Sequence, residues 1–332
     1  MTQNLTPVFN KTRHYSLIIL SDIHFGKKSS SADMLYEFLL HHSCDTLILN
    51  GDIIDGWVLE SKKHRKLPEM QKRVMDIINA RIAEGLHVVY IPGNHDEKLR
   101  KEGIFGKTLH GIHFSDSLIY TDRLNRRFFI VHGDQFDPQF LKNKGSIAYK
   151  IGDALYDGLI ELNAVTSRAA RKLLRREFSI AAYAKKRTKD IVGLIGKFEE
   201  VVTKSANDNG ADGVICGHIH HAEFEKRGSI LYGNSGDWVE SCTGLLCSDE
   251  AEWSICRWHE EREKLQLGEP PSESDNNEYA KYRPQTEKLL RLIQKIWPGK
   301  NRTELLEKIN KHARKGDKHC DKSEQLRQEL KL

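Results

Sequence analysis

The sequence predicts an α/β domain, and three observations carry that expectation. From about residue 15 to 260, short apolar runs alternate with longer amphipathic stretches, the rhythm of strands separated by helices. The runs "SLIIL", "TLILN", "HVVYI", "RFFIV", "GVIC" and "SILYG" are rich in Ile, Val, Leu and Phe, as buried strands are. Five of them lead into a short turn holding Asp, Asn, His or Gly. Ligands of open α/β sheets bind beyond the carboxyl ends of the strands, so these turns are where a site is expected.

Taken in chain order, the turns hold five motifs. "SLIIL" leads into "SDIHF", where Asp22 and His24 stand at i and i+2; in an extended segment both side chains leave on one side and can grip one cation. "TLILN" leads into "NGDIIDGW", with Asp52 directly after a glycine and Asp55 three residues on. "HVVYI" leads into "PGNHDE", with Asn94, His95 and Asp96, and "RFFIV" into "VHGDQFD", with His132. "GVIC" leads into "GHIHH", where His218 and His220 share one side and His221 faces the other way. Gly217 gives the chain room to turn there. A single Asp at a strand end is more often a cap than a ligand; five such motifs in order are not a chance pattern.

Between His132 and Gly217 the rhythm breaks into roughly eighty residues of helical character. Arg168, Arg171, Lys172, Arg175 and Arg176 fall on one helix face there, and "YAKKRTKD" adds further positive charge. An isolated charge run is usually a solvated face. An insertion between two site-bearing strands is also placed to act as a lid, and a basic lid favours anionic substrates or an anionic membrane surface. These patterns divide the chain into a domain at 15–260 with a helical cap at about 140–208, a linker at 261–284 and a charged helical extension at 285–332. In the extension Leu289, Leu290, Ile293 and Trp297, then Leu305, Leu306 and Ile309, have helical spacing; docking helices, an oligomer contact and a membrane-surface anchor are all compatible with it.

Composition narrows the classes. The 332 residues are 39% hydrophobic and 30% charged, and no run approaches the length of a membrane span. The first sixteen residues carry no apolar stretch of the kind that leads a secreted chain, and six cysteines lack a paired framework. Both features suit a reducing, cytoplasmic setting.

Carboxylate, carboxamide and imidazole without thiolate suit manganese, iron or zinc. Asp22, His24, Asp52, Asn94, His132, His218 and His220 make seven candidate ligands, enough for two ions, with Asp52 the natural bridge because a carboxylate has two oxygens. Paired ions about 3.5 to 4 Å apart clamp the oxygens of an in-line displacement at phosphorus. Hydrolysis of a phosphoester or phosphoanhydride is the direct reading.

In the order DxH, GDxxD, GNHD, H and GHxH the chain resembles the calcineurin-like metallophosphoesterase superfamily over about residues 16 to 240. The resemblance implies a four-layer αββα sandwich with a dinuclear site between its sheets. It assigns Asp22, His24, Asp52 and His220 to one metal and Asp52, Asn94, His132 and His218 to the other. It makes His95 the group that contacts the phosphate and protonates the leaving oxygen, and Asp55 the carboxylate that holds this imidazole. "LSDIHFG", the helical insertion after "HGDQFD", and "YGNSGDWVES" are most similar to UDP-2,3-diacylglucosamine diphosphatases of lipid A synthesis. Those enzymes use manganese, cover acyl chains with a helical cap and release UMP. The likeness implies a lipid-linked nucleotide as substrate and peripheral contact with the cytoplasmic face of the inner membrane.

The chain departs from that group in reading "GNHD" where they tend to read GNRD, in "QFDPQF", and in continuing for about seventy residues beyond the last core strand. Another phosphodiester or phospholipid head group is therefore an alternative substrate. "GW" after Asp55 departs from the GDxxDRG of protein phosphatases. A nuclease would use the basic stripe but lacks an aromatic stacking platform beside it. An inactive scaffold would be expected to have lost ligands, and all seven are present.

Overall fold

The computed structural model describes residues 12–59, 67–101, 104–136 and 195–296. The basic stripe at 168–176, most of the proposed cap and everything beyond residue 296 lie outside the described residues.

The six apolar runs form strands. They are β1 (Arg13–Leu20), β2 (His42–Asn50), β3 (His87–Ile91), β7 (Arg127–Ile130), β8 (Gly213–Cys216) and β10 (Ile230–Asn234). Six further strands complete two sheets: β4 (Thr108–Leu109), β5 (Ile112–Phe114), β6 (Leu118–Thr121), β9 (Glu223–Arg227), β11 (Thr243–Cys247) and β12 (Trp253–Arg257). One sheet has seven strands in the order β12-β11-β1-β2-β3-β5-β4, and the other has five in the order β6-β7-β8-β10-β9. Parallel β1, β2 and β3 form the middle of the larger sheet, and β11 joins β1 antiparallel.

Alternation along β1 shows how the layers stack. Ile18 and Leu20 point into a cluster with α1 (Ala32–His41) and α3 (Glu69–Ala83), whereas Leu17 and Ile19 point into a second cluster with Phe128, Ile130 and Ile215 of the other sheet. The second sheet's far face carries Phe129, Val214 and Tyr232, which pack on Phe198, Val202 and Ala206 of α5 (195–208). Helices, sheet, sheet and helix thus follow one another as four layers. The period of two puts apolar residues on both faces of β1, which is why its sequence reads as an unbroken apolar run.

Beyond the strands, α2 (Gly56–Leu59) and α4 (Lys98–Lys101) are single turns that follow the second and third motifs, and α6 (Trp258–Lys264) follows β12. The last described helix, α7 (Arg283–Ile296), lies on α3. Leu289, Leu290, Ile293 and Ile296 are buried in the α1–α3 cluster, and polar bonds fix the helix above them. Buried Asp76 accepts from Thr286 Oγ1 at 2.6 Å and Arg283 Nε at 2.9 Å, while Arg283 also reaches Glu69 at 2.6 Å. Trp297, the next residue of the apolar spacing, lies outside the described residues. Among the described residues no helix is long and apolar enough to cross a membrane.

Ile293, only 3% exposed, tests how firmly α7 belongs to the core. Ile293→Ala is expected to lower the unfolding free energy by about 2–5 kcal/mol in chemical denaturation; an unchanged midpoint would mean that α7 is not part of the cooperative fold.

Candidate metal centre

The strands end where regular backbone stops. Asp22, His24, Asp52, His218 and His220 all have φ between 53° and 68°, a left-handed conformation that non-glycine residues adopt at a cost of about 1–2 kcal/mol each. This differs from the extended geometry expected from the i, i+2 spacing. Backbone bonds impose it: Asp22 N–H donates to Gly51 O at 3.0 Å, His24 N–H to Asp52 O at 2.9 Å and Phe25 N–H to Ile53 O at 2.8 Å. The first two motifs therefore run side by side beyond the sheet, with their acidic and imidazole side chains turned to the same place.

Two glycines are required by how closely these loops approach. A Cβ on Gly93 would overlap Asp52 Oδ1 and the His132 ring. A Cβ on Gly217 would come to 2.5 Å from Ser21 Oγ and 2.6 Å from Asp22 Oδ2.

Three groups of side chains converge. Asp22, His24 and His220 place one ligand atom each within 4.8 Å of one another, as do Asp22, Asp52 and His132, and as do His24, Asp55 and His95. Asp22 is thus common to two groups, and Asp52 joins it through the second. His132 Nδ1 lies 2.9 Å from Asn50 O, so its N–H donates there and Nε2 turns inward, 3.5 Å from Asp52 Oδ2. His220 Nε2 lies 3.1 Å from Asp22 Oδ1. His218 belongs to none of the three groups, but its ring centroid is 5.4 Å from that of His132 and 6.0 Å from that of Phe198 of α5, and its backbone N–H donates to Asp22 Oδ2 at 3.1 Å. His221 is exposed.

A cation fits these residues, because they are buried with their lone pairs unused. Asp22 Oδ1, His24 Nδ1, Asn94 Oδ1 and His132 Nε2 are buried without a well-formed hydrogen bond, the nearest neighbour of Asp22 Oδ1 being the His220 imidazole in an ion-pair contact. Each such atom costs about 1–3 kcal/mol when left unpaired, and all four belong to the seven candidate ligands. The electrostatics agree. Burial raises the Asp22 carboxyl, yet His220 and then His132 bring it down to about 2. Burial likewise works against an ionised Asp52, but His132 and His95 hold it well below the carboxylate range. Burial would lower His132 and His220, but Asp52 raises the first to about 10 and Asp22 the second to about 9. Burial and then His95 push His24 down. The field that keeps protons on two imidazoles also attracts a dication, which displaces those protons when it binds.

His95 stands at the rim of the same cluster. Its Nδ1 is 2.9 Å from Asp55 Oδ2 and its Nε2 is 3.9 Å from Asp52 Oδ2. Burial raises the Asp55 carboxyl, but His95, His24 and Lys27, whose Nζ is 3.1 Å away, hold it well below its usual range. Asp96 supports the third loop by accepting from Gly93 N–H, from Ile53 N–H at 3.1 Å and from Tyr90 Oη at 2.5 Å.

Several supporting residues escaped the motif reading. Arg100 grips Asp134 with two bonds of 2.6 and 2.7 Å and donates to Pro92 O at 2.6 Å, tying the His132 loop to the His95 loop. Ser21 Oγ lies 2.7 Å from Ser235 Oγ, Asn234 Nδ2 donates to Gly217 O at 2.7 Å, and Trp238 N–H donates to Asp22 O at 3.1 Å. The stretch "YGNSGDWVES" thus braces the first and fifth motifs. Its Asn, Ser and Gly content after a strand was the available signal.

A four-layer α/β sandwich whose strand ends gather buried carboxylates and imidazoles is suited to hold divalent metal. The chain belongs to the calcineurin-like phosphoesterase family, whose sequence profile matches residues 15–222; members of that family use a dinuclear metal site. No curated protein matches the sequence significantly. Among solved structures, the chain is similar to Yfce, a phosphoesterase from E. coli, at 16% identity over 73% of this chain and 98% of that one, with a TM-score of 0.34. It is also similar to the phosphopantetheinyl hydrolase PptH from Mycobacterium tuberculosis, at 13% identity over 68% and 90% of the two chains with a TM-score of 0.32. A third is the hypothetical protein PH1004 from Pyrococcus horikoshii OT3, at 10% identity over 77% and 95% with a TM-score of 0.38. Family membership rests on the profile match and not on these likenesses.

If the unused lone pairs await cations, divalent metal must stabilise the fold. Adding manganese to chelator-treated protein at about 1,000 times its dissociation constant is expected to stabilise by roughly 4 kcal/mol per site, read as a rise in melting temperature. A melting temperature indifferent to metal and chelator would contradict this.

Proposed function

We propose that the protein is a two-metal hydrolase of a phosphoanhydride, with UDP-2,3-diacylglucosamine or a related nucleotide-linked lipid as substrate. The four buried lone pairs of Asp22, His24, Asn94 and His132, beside an imidazole backed by a carboxylate, carry the hydrolytic part of this reading. Asp22, His24, Asp52 and His220 would hold one ion, and Asp52, Asn94, His132 and His218 the other. The ions would polarise the phosphoryl oxygens and neutralise the charge that gathers on them.

The chain's own residues do the proton work. Asp55 accepts from His95 Nδ1 and fixes the ring with Nε2 directed toward Asp52 and the other candidate ligands. As the oxygen of a water that has given a proton to solvent bonds to phosphorus and the bridging P–O bond breaks, His95 gives its Nε2 proton to the departing phosphate oxygen. The products are UMP and the acylated sugar phosphate.

Support for the substrate comes from "LSDIHFG", "HGDQFD" and "YGNSGDWVES" and from the positive charge between residues 168 and 188, which suits a diphosphate at an anionic membrane surface. Manganese as the native ion, a cytoplasmic location and peripheral contact with the inner membrane belong to the same proposal. Phosphodiesters and phospholipid head groups are the second reading, favoured by the departures in "GNHD" and "QFDPQF".

Incubation with UDP-2,3-diacylglucosamine and manganese should release UMP; cleavage of a generic phosphodiester alone would reject the substrate and keep the hydrolase. His95→Ala is expected to lower kcat by about 10²–10⁴-fold with metal content unchanged, whereas Asp52→Ala should lose metal and activity together. Loss of metal from His95→Ala would instead make His95 a ligand.

A further inference from the structure

A second group of metal-ligating side chains lies outside the phosphoesterase motifs. His42 opens β2, Cys256 is in β12 and Glu261 is in α6. One ligand atom from each lies within 4.8 Å of the other two. His42 and Cys256 are buried and Glu261 is partly exposed, so a buried thiol and imidazole meet a carboxylate that borders solvent.

The inward nitrogen of the imidazole has only a loose partner in the chain, the Glu261 carboxylate. His42 Nδ1 lies 3.0 Å from Phe38 O, so its N–H donates to that carbonyl and the lone pair of the neutral ring falls on Nε2. Phe38 stacks on the ring at 4.3 Å, and Trp258 meets it edge-on at 5.4 Å, which fixes its plane. Nε2 is buried and makes no hydrogen bond. Glu261 Oε2 is 3.6 Å away, beyond hydrogen-bond length. A plain hydrogen-bonded triad would not leave that nitrogen unused.

We propose that His42, Cys256 and Glu261 form a second metal site, for one thiophilic divalent cation, with zinc the best match. Nitrogen, sulfur and oxygen donors around one point are a zinc ligand set, and bond lengths of about 2.0 to 2.3 Å require only a small contraction of the present spacing. Three protein ligands leave a fourth position for water. Thiolate and carboxylate together neutralise the dication, and Arg13, 3.1 Å from Glu261 Oε2, keeps that carboxylate in place. Binding sends the Cys256 thiol proton to solvent. The cation would join α6 and β12 to the start of β2.

The sulfur makes this site distinguishable from the phosphoesterase centre, whose candidate ligands include no thiolate. The full-length, chelator-treated protein is titrated with Co²⁺ and the near-ultraviolet thiolate-to-cobalt charge-transfer band is followed. The band is expected in the wild type and in Asp52→Asn, absent in Cys256→Ser and weakened in His42→Gln. Zinc content should fall by about one equivalent per chain in Cys256→Ser, with circular dichroism confirming that the variant folds. If Cys256→Ser fails to fold, His42→Gln decides alone, an undiminished band counting against the site. No band in the wild type, or a band that survives Cys256→Ser, would overturn the proposal.

Discussion

The interaction on which the structure turns is the pull of buried carboxylates, a carboxamide and imidazoles on positive charge, met by protons on His132 and His220 until a cation displaces them. Asp22, His24, Asn94 and His132 are buried with unused acceptors, and burying such atoms is costly unless something replaces the water they lose. The neighbouring loops are arranged to keep those atoms unused. Asn50 O accepts a hydrogen bond from His132 Nδ1, Asp55 accepts one from His95 Nδ1, and the hydroxyls of Ser21 and Ser235 pair with each other beside Asp22.

The backbone bears part of that cost. Five candidate site residues are left-handed, and the strain persists because loops after β1, β2 and β8 are bonded to one another as well as to their own strands. The glycines follow from the same crowding, since Gly93 and Gly217 stand where the Asp52 carboxylate, the His132 ring and Asp22 leave no room for a Cβ. Two sheets packed through Leu17, Ile19, Ile48, Phe128, Ile130 and Ile215 make a rigid base under these loops. Strain, glycines and sheet packing are thus linked consequences of gathering charge at the strand ends.

Much of this was legible in the chain. The central strands are apolar on both faces, so β1, β2, β3, β7, β8 and β10 announce themselves, and the motif residues follow them directly. β6, β9 and β12 were not legible, because they are half-exposed strands at the sheet edges or beside them, with mixed burial along their length. The four-layer stacking came from family resemblance and not from periodicity. The left-handed geometry at Asp22 and His24 was hidden because i, i+2 spacing reads the same in an extended strand and in a strained loop; the distinction lies in bonds to Gly51 and Asp52, which are distant in sequence. Arg100 and Asp134 are hidden for the same reason, as an ion pair across 34 residues leaves no local pattern.

A cradle for paired cations at the strand ends would show itself in anomalous scattering from crystals grown with manganese. Two peaks about 3.5 to 4 Å apart are expected, one beside His24 and His220, the other beside Asn94 and His132, with Asp52 touching both. Hydrogen-bonded water in place of either peak, or manganese bound only elsewhere on the chain, would contradict it.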